Sequence, residues 1–408
     1  MTHDELTPAE RQALARERMQ DRIRAGMKAM LEEIMEEEMT EHLHRRNSCN
    51  SYREQTPGRR GERNGSYTRG LITEVGRIEQ LKVPRDREGT FLTEVFERYH
   101  RMTGSFEEAV LEMYLQGIST RKIERVTGKL SGVQISKDAV SRIAKRLDEE
   151  LSAWRGRTLT RTYPYLYLDA TFLKAIWAGA AEDVALLTAV GVDEKGYREV
   201  LAVQAAPGER TEVWRDLLKD LLERKLRGVR LVISDDADAI KTAVSIELPQ
   251  ATRRNFCAWQ RCTVHFERNI LAKVPQKETK AVAADLKVIF QAARRETAEG
   301  LAQGFADRYR EVYPKAVACL ESGLADALTY TEFPSSHHRY IRTTNGLERL
   351  FREVKRRTKV VGVFPSPQIA ENLSLAVMLR VSEGWTSRRY LDMEPLHALF
   401  YQPTQIAT

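Results

Sequence analysis

Met27, Met30, Leu31, Ile34, Met35 and Met39 recur at helical spacing, with Glu32, Glu33, Glu36 and Glu37 between them. This pattern predicts an amphipathic helix within residues 8–46, a packing or dimerising element. Residues 47–65 are polar and carry Pro57, Gly58, Gly61 and Gly65, which predicts a loop or linker. Short alternating runs over residues 66–98, RGLITEVGRIEQLKVPRDREG among them, predict a small β element. Helical spacing returns over residues 105–150. EEAVLEMYLQ stops at Gly117, Ser119 is placed to cap STRKIERVTG up to Gly128, and Ser136 is placed to cap SKDAVSRIAKRLDEEL. In the last of these helices Val140, Ile143, Ala144 and Leu147 form one apolar face, while Lys137, Arg142, Lys145 and Arg146 line the rest. A basic surface opposite a core face suits a helix-turn-helix seated in a DNA groove. A plain helical hairpin has the same pattern.

Past residue 160 the period changes. YLYLDATFLKAIW, DVALLTAVGVD and YREVLAVQAA read as strands, TEVWRDLLKDLLERKL as a helix and VRLVIS as a further strand. Three strands, a helix and another strand make up the opening order of an RNase H-like α/β domain. Residues 266–340 are mostly helical and interrupt that core. The expected division is a packing helix over 1–46, a mainly helical DNA-binding region over 47–152, a core over 160–265, an all-α insertion over 266–340 and the core's C-terminal helices over 341–400.

Lys and Arg total 65 against 58 for Asp and Glu, a net charge of +7 that favours an anionic partner. Distribution sharpens this. Between His44 and Leu71 there are seven arginines and two acids, and from Arg349 to Lys359 six basic residues and one acid. Such clusters fit a phosphate backbone, here double-stranded DNA, although a solvated surface can carry them too. The expected DNA contacts are Arg63, Arg69, Arg85, Arg142, Lys145 and Arg146, then Arg352, Lys355, Arg356 and Lys359. Four cysteines without disulfide-framework spacing fit a reducing compartment. The N-terminus has no apolar signal stretch, and no apolar run is long enough to span a bilayer. A cytoplasmic, nucleoid-associated protein is expected.

Three separated carboxylates carry the candidate chemistry. Asp169 follows the strand run Tyr165–Leu168, where an acid is expensive unless paired or metal-bound. Asp235 follows Leu231–Ile233 and precedes a helix, at the strand end where α/β sheets place their sites. Asp236 is the alternative, and a helix N-cap is the plain explanation for either. Glu348 lies on a helix whose buried stripe is Leu347, Leu350, Phe351 and Val354. At 100° per residue it shares a flank with Arg352, Lys355 and Lys359, while Glu353 lies opposite, four residues before Arg357. Glu348 is therefore the expected third acid. Together the three can hold two Mg²⁺ ions, with Mn²⁺ able to substitute, for phosphoryl transfer. Cys262 and His265 lack a second close Cys/His pair, so zinc is not expected. They are read as groups that back the metal ligands or touch DNA, or as buried core. Trp259 is expected to stack on a base or to pack in the core. His337 and His338 precede the third motif and are not assigned a role.

Taken together, LDATFLKA, VISDDADAIKTAV, WQRCTVHFERN and TTNGLERLFREVKRRTKVVGVFP resemble the Mutator-like bacterial transposases of the insertion-sequence-256 family. RNGSYTRGLITEVGRIEQLKVPRDREGTF extends the resemblance, which covers most of residues 60–385. It implies an RNase H-like core with a helical insertion, an Asp-Asp-Glu site at Asp169, Asp235 and Glu348, and a Cys-x-x-His motif at Cys262 and His265. It also implies cleavage at terminal inverted repeats and joining of 3′ ends to target DNA, by copy-out through a circular intermediate. Cutting two ends suggests a homodimer. Two departures stand out. This chain reads Ser-Asp-Asp-Ala where the family commonly has Ser-Asp-Ala-His, and it carries Gly346 before the third acid. A catalytically silent regulator and a junction nuclease are the competing readings. The presence of all three acids weighs against the first, and the N-terminal elements against the second.

Overall fold

The computed structural model describes residues 7–49, 63–96, 100–248 and 257–400. The chain divides into two compact units, 1–146 and 147–408.

In the first unit, helix α1 (Pro8–Cys49) packs on an antiparallel hairpin of β1 (Arg63–Thr73) and β2 (Gly76–Asp86). Leu71, Ile78, Leu81 and Val83 point inward, where they meet Met35 and Phe96. Arg77, Glu79 and Lys82 alternate outward, the period of a half-buried sheet. Helix α1 buries a narrower face than its methionines suggest. Met35 and Met39 are fully buried, Met27 and Leu31 lie at the edge, and Met30 and Ile34 are exposed. The expected loop over 47–65 is shorter at both ends, since α1 runs to Cys49 and β1 begins at Arg63; residues 50–62 lie outside the described residues.

Three helices follow: α2 (Gly104–Leu115), α3 (Thr120–Ser131) and α4 (Lys137–Arg155). Phe106, Val110, Ile123, Ile135, Val140 and Ile143 form their common core. Gly128 does not end α3. The helix continues to Ser131 and closes on Gly132, whose φ of +73° supplies the left-handed cap. Ser119 makes no side-chain cap. Ser136 does, accepting from the Ala139 N–H at 3.2 Å.

The second unit is built on a five-stranded sheet of order β5-β4-β3-β6-β7. Strands β3 (Tyr165–Trp177), β4 (Ala180–Val192) and β5 (Arg198–Ala206) form an antiparallel meander. After helix α5 (Thr211–Glu223), β6 (Leu231–Ser234) returns parallel to β3. Helix α6 (Asp238–Glu247) leads on toward β7 (Ala258–Arg261), parallel to β6. Leu166, Leu168, Leu187, Leu201 and Val232 share one core with Trp214, Leu217 and Leu221 of α5 and Ile240 of α6.

A helical stretch separates β7 from the last motif: α7 (Thr263–Leu271), α8 (Thr279–Gln291), α9 (Arg295–Tyr309), α10 (Pro314–Ala327) and the short α11 (His338–Ile341). Helices α12 (Asn345–Thr358), α13 (Pro367–Ser382) and α14 (Glu394–Phe400) complete the unit. No described helix is long and apolar enough to cross a membrane.

Candidate active site

Sheet register explains how the first two acids meet. Tyr165, Leu166 and Tyr167 of β3 pair in step with Leu231, Val232 and Ile233 of β6. Two residues further on, the same register sets Asp235 beside Asp169. Alternation turns Leu166 and Leu168 into the α5–α6 core, so Asp169 faces the other side of the sheet. There it is buried, and its Oδ1 accepts the Ala170 N–H at 2.8 Å.

Helices α7 and α12 supply the remaining groups. The Cys262 N–H bonds the Ser234 carbonyl at 2.7 Å and the Thr263 N–H bonds the Arg342 carbonyl at 3.0 Å. These two bonds tie the start of α7 to the end of β6 and to the segment that enters α12. His265 then stands among the acids. Its Nε2 lies 3.2 Å from Glu348 Oε1, and its Nδ1 lies 4.0 Å from Asp235 Oδ1 without forming a hydrogen bond. Arg268, one turn along α7, donates from Nη1 to the same Glu348 oxygen at 2.8 Å.

The electrostatics follow from this crowding. Burial, with Asp235 adding to it, pushes the Asp169 carboxyl up to about 7, against His265, the Ala170 N–H and the Thr344 hydroxyl. His265 is pushed up to about 9, first by the adjoining Cys262 and then by Asp235 and Asp169, against the effect of burial. It therefore stands as an imidazolium at neutral pH. Burial alone would raise the Cys262 thiol, but His265 and Thr344 outweigh it and hold the thiol below its ordinary value. Cys262 Sγ accepts from the Thr344 N–H at 3.3 Å and from its hydroxyl at 3.5 Å. Glu209, half-buried before α5, is raised by burial and then by Asp235.

Three acids named from the sequence, Asp169, Asp235 and Glu348, thus come together around His265. The acids set aside there are engaged elsewhere. Asp236 Oδ2 pairs with the buried Arg261 at 2.8 Å. Glu353 pairs with Arg356 at 3.1 Å and with Arg357 at 3.7 Å. Trp259 is buried and donates from Nε1 to Ser234 Oγ at 2.9 Å, so it braces the strand end before Asp235 and does not present a free face to a base. His337 and His338 are also buried, bonded to Tyr165 and the Asp392 carbonyl and to the Phe333 carbonyl respectively. Sequence reasoning missed Thr344, Arg268 and Glu209. Thr344 reads as an ordinary helix cap. Arg268 had a signal, since it stands three residues after His265 and on the same helix face.

The expected DNA contacts divide. Arg142, Lys145, Arg352, Lys355 and Lys359 are exposed; the Arg146 side chain lies outside the described residues. Arg85 is exposed and bonds the Asn64 carbonyl at 2.7 Å. Three others are committed to protein partners: Arg63 to Glu36 and Thr40, Arg69 to the His100 carbonyl and the Phe96 ring, and Arg356 to Glu353.

Three carboxylates form a hard oxygen donor set that suits Mg²⁺ or Mn²⁺. As placed, no group of three among the described residues stands close enough to hold one ion. His265 and Arg268 engage Glu348 instead. The fit is one of chemistry and charge, since the acids converge on a point that already carries a cation.

A family model described as "Transposase, Mutator family" matches residues 1–388. The transposase for insertion sequence element ISRM5 of Rhizobium meliloti (strain 1021) is 38% identical over 377 residues, 92% of each chain. The transposase for insertion sequence element IS256 in transposon Tn4001 of Staphylococcus aureus is 35% identical over 371 residues, 89% of this chain and 91% of that one. Among solved structures, the Drosophila P element transposase strand transfer complex aligns at 10% identity and a TM-score of 0.32, over 76% of this chain and 86% of that one.

Proposed function

The chain belongs to the Mutator family of transposases, and from that premise we propose a two-metal DNA transposase. It cleaves at the terminal inverted repeats of its insertion sequence and joins the 3′ ends to target DNA. The observation that carries this reading is the convergence of Asp169, Asp235 and Glu348 on His265.

Sheet order supports an RNase H-like core. An antiparallel meander whose first strand is central is followed by two parallel strands, and the acids sit on the first strand and just past the end of the fourth. The exposed Arg142 and Lys145 on α4 support a helix-turn-helix for end DNA. Two Mg²⁺ ions held by the three acids would lower the pKa of an attacking water or 3′-hydroxyl and stabilise the leaving oxygen. The chain's own residues do the rest. Thr344 lies close enough to Asp169 to favour its charged form. Glu348 joins the site when it leaves His265 and Arg268. Arg268 is then available to hold a non-bridging phosphate oxygen in line. A homodimer and a circular copy-out intermediate belong to the same reading.

The test is to incubate the protein with DNA from its own element's ends in Mg²⁺, Mn²⁺ or EDTA and to map 3′-hydroxyl products. Nicking at the repeat boundary that needs the cation and vanishes in Asp169→Asn is expected. Tight end binding with no nicking in either metal would favour a silent regulator instead.

A further inference from the structure

Arg198 opens β5 with its guanidinium between two aromatic rings, 4.1 Å from the centre of Trp385 and 4.2 Å from that of Tyr390. Among the described residues it makes no hydrogen bond or ion pair, and its Nε is buried without a partner. A guanidinium stacked between rings with no counter-charge among the described residues is open to an anionic ligand. Arg224 and Arg261 each bury an unpaired nitrogen as well, but each also has a carboxylate, Asp220 and Asp236 respectively, whereas Arg198 has none among the described residues.

The surroundings of Arg198 add positive charge. Burial pushes its guanidinium down; Tyr390 and Tyr167 act against this, and Arg349 and Arg388 push with it. Tyr390 lies in the field of Arg198, Arg349 and Arg339. Arg339, Arg349 and Arg388 are all exposed, and none meets a carboxylate among the described residues. Four guanidiniums drawn from β5, α11, α12 and the segment after α13 make too broad a patch for one small anion. They fit a run of backbone phosphates, with the aromatic rings holding one guanidinium edge-out.

Position sets this patch beside the carboxylates. Arg198, Trp385 and Tyr390 share a cleft with Tyr167, Gly346 and Leu347. Tyr167 lies two residues before Asp169 on the same face of β3, and Leu347 immediately precedes Glu348. Around α12, Arg352, Lys355 and Lys359 cluster on the Glu348 flank, whereas Arg349 is turned about 100° away. Basic surfaces therefore approach the acids from two sides. Strand transfer needs two backbones at one set of carboxylates.

We infer that Arg198, Arg339, Arg349 and Arg388 bind the phosphates of the acceptor DNA, while the Lys355–Lys359 flank holds the element end. This rests on the function proposed above. The test uses full-length Arg339→Gln/Arg388→Gln, which alters only exposed side chains, beside Arg198→Met, which keeps the stem between the rings. Two reactions are followed: nicking of uncut end DNA, and joining of a pre-cleaved end to plasmid target. Joining should fall at least about tenfold, with a shallower salt dependence of target binding, and nicking should stay within about threefold. Wild-type levels of both would overturn the inference. So would a parallel loss of both, which would place the cluster on the end DNA. If Arg198→Met fails to fold, the exposed pair decides alone. A wild-type protein that nicks in no metal would instead sink the proposed function itself.

Discussion

His265 and Glu348 lie 3.2 Å apart, imidazole Nε2 to carboxylate Oε1, across a gap of 82 to 83 residues that also separates Cys262 from Thr344. This imidazole stands among Asp169, Asp235 and Glu348, and Arg268 adds a second positive charge on Glu348 at 2.8 Å. The three acids are thereby kept together by protein cations, and in the proposed mechanism Glu348 gives up this contact.

The sign of the pH effect follows. His265 is raised from 6.5 to about 9, so its contribution to stability is complete below about 6.5 and is lost as pH rises through 9. Asp169 is raised from 3.8 to about 7, so the fold holds its proton and that contribution is lost as pH rises toward 7. Metal-free protein should therefore melt at lower temperature as pH goes from 7 to 9. His265→Gln should remove most of that slope, and Mg²⁺ should raise Tm most at the alkaline end, where both protons are gone. Calorimetry in EDTA and in Mg²⁺ measures this. An unchanged slope in His265→Gln would show that the imidazole is not what holds the acids.

Adjacent acids should behave as opposites. Asp235 faces His265 and is exposed to the site, whereas Asp236 neutralises the buried Arg261. Asp236→Asn leaves that guanidinium short of its counter-ion and should cost about 2 kcal/mol, discounted because Asp236 is itself partly exposed. Asp235→Asn should abolish nicking and leave the unfolding free energy within about 1 kcal/mol of wild type, since it also relieves repulsion from Asp169. Denaturant unfolding beside a nicking assay separates them. A stable, inactive Asp236→Asn would exchange the two roles.

Much of this was legible because period and register are local properties. Alternation in YLYLDATF placed Asp169 on one face of a strand, and the buried stripe of α12 set Glu348 and Glu353 on opposite flanks. Where local pattern fails, a distant partner decides. Strand β7 is four residues long and carries Gln260 and Arg261 inward. It stands only because β6 pairs with it and because Gln260 bonds the Ala327 carbonyl and the Tyr330 N–H. Arg63 and Arg69 counted as free charge in the sequence, yet Glu36 and the His100 carbonyl claim them. Composition cannot show a pairing that depends on a helix and a hairpin meeting.

The face of α1 gives a stability test. Met39 is fully buried while Met30 is exposed. Met39→Ala should cost about 3 kcal/mol through lost transfer energy and a cavity, and Met30→Ala less than about 0.5 kcal/mol. Urea titration of the full chain measures both. Equal costs would mean that α1 buries a second face against another partner, as a dimerising helix would.

At α12, catalysis and binding should come apart. Glu348→Gln keeps shape but removes a charged ligand, so nicking and joining should be lost. DNA binding should stay or tighten slightly, because a negative charge beside phosphate is gone. Lys355→Ala with Lys359→Ala should do the reverse. Both side chains are exposed on the Glu348 flank, and their loss should weaken end binding and flatten its salt dependence by roughly one phosphate contact each. Glu353→Gln should matter least, costing about 0.5 kcal/mol of partly exposed pairing with Arg356 and Arg357. Gel shifts over a salt series, run beside 3′-end mapping, distinguish the three. Nicking that survives Glu348→Gln, or dies in a folded and DNA-bound Glu353→Gln, would place the third ligand on the other flank and make the His265–Glu348 contact a structural ion pair.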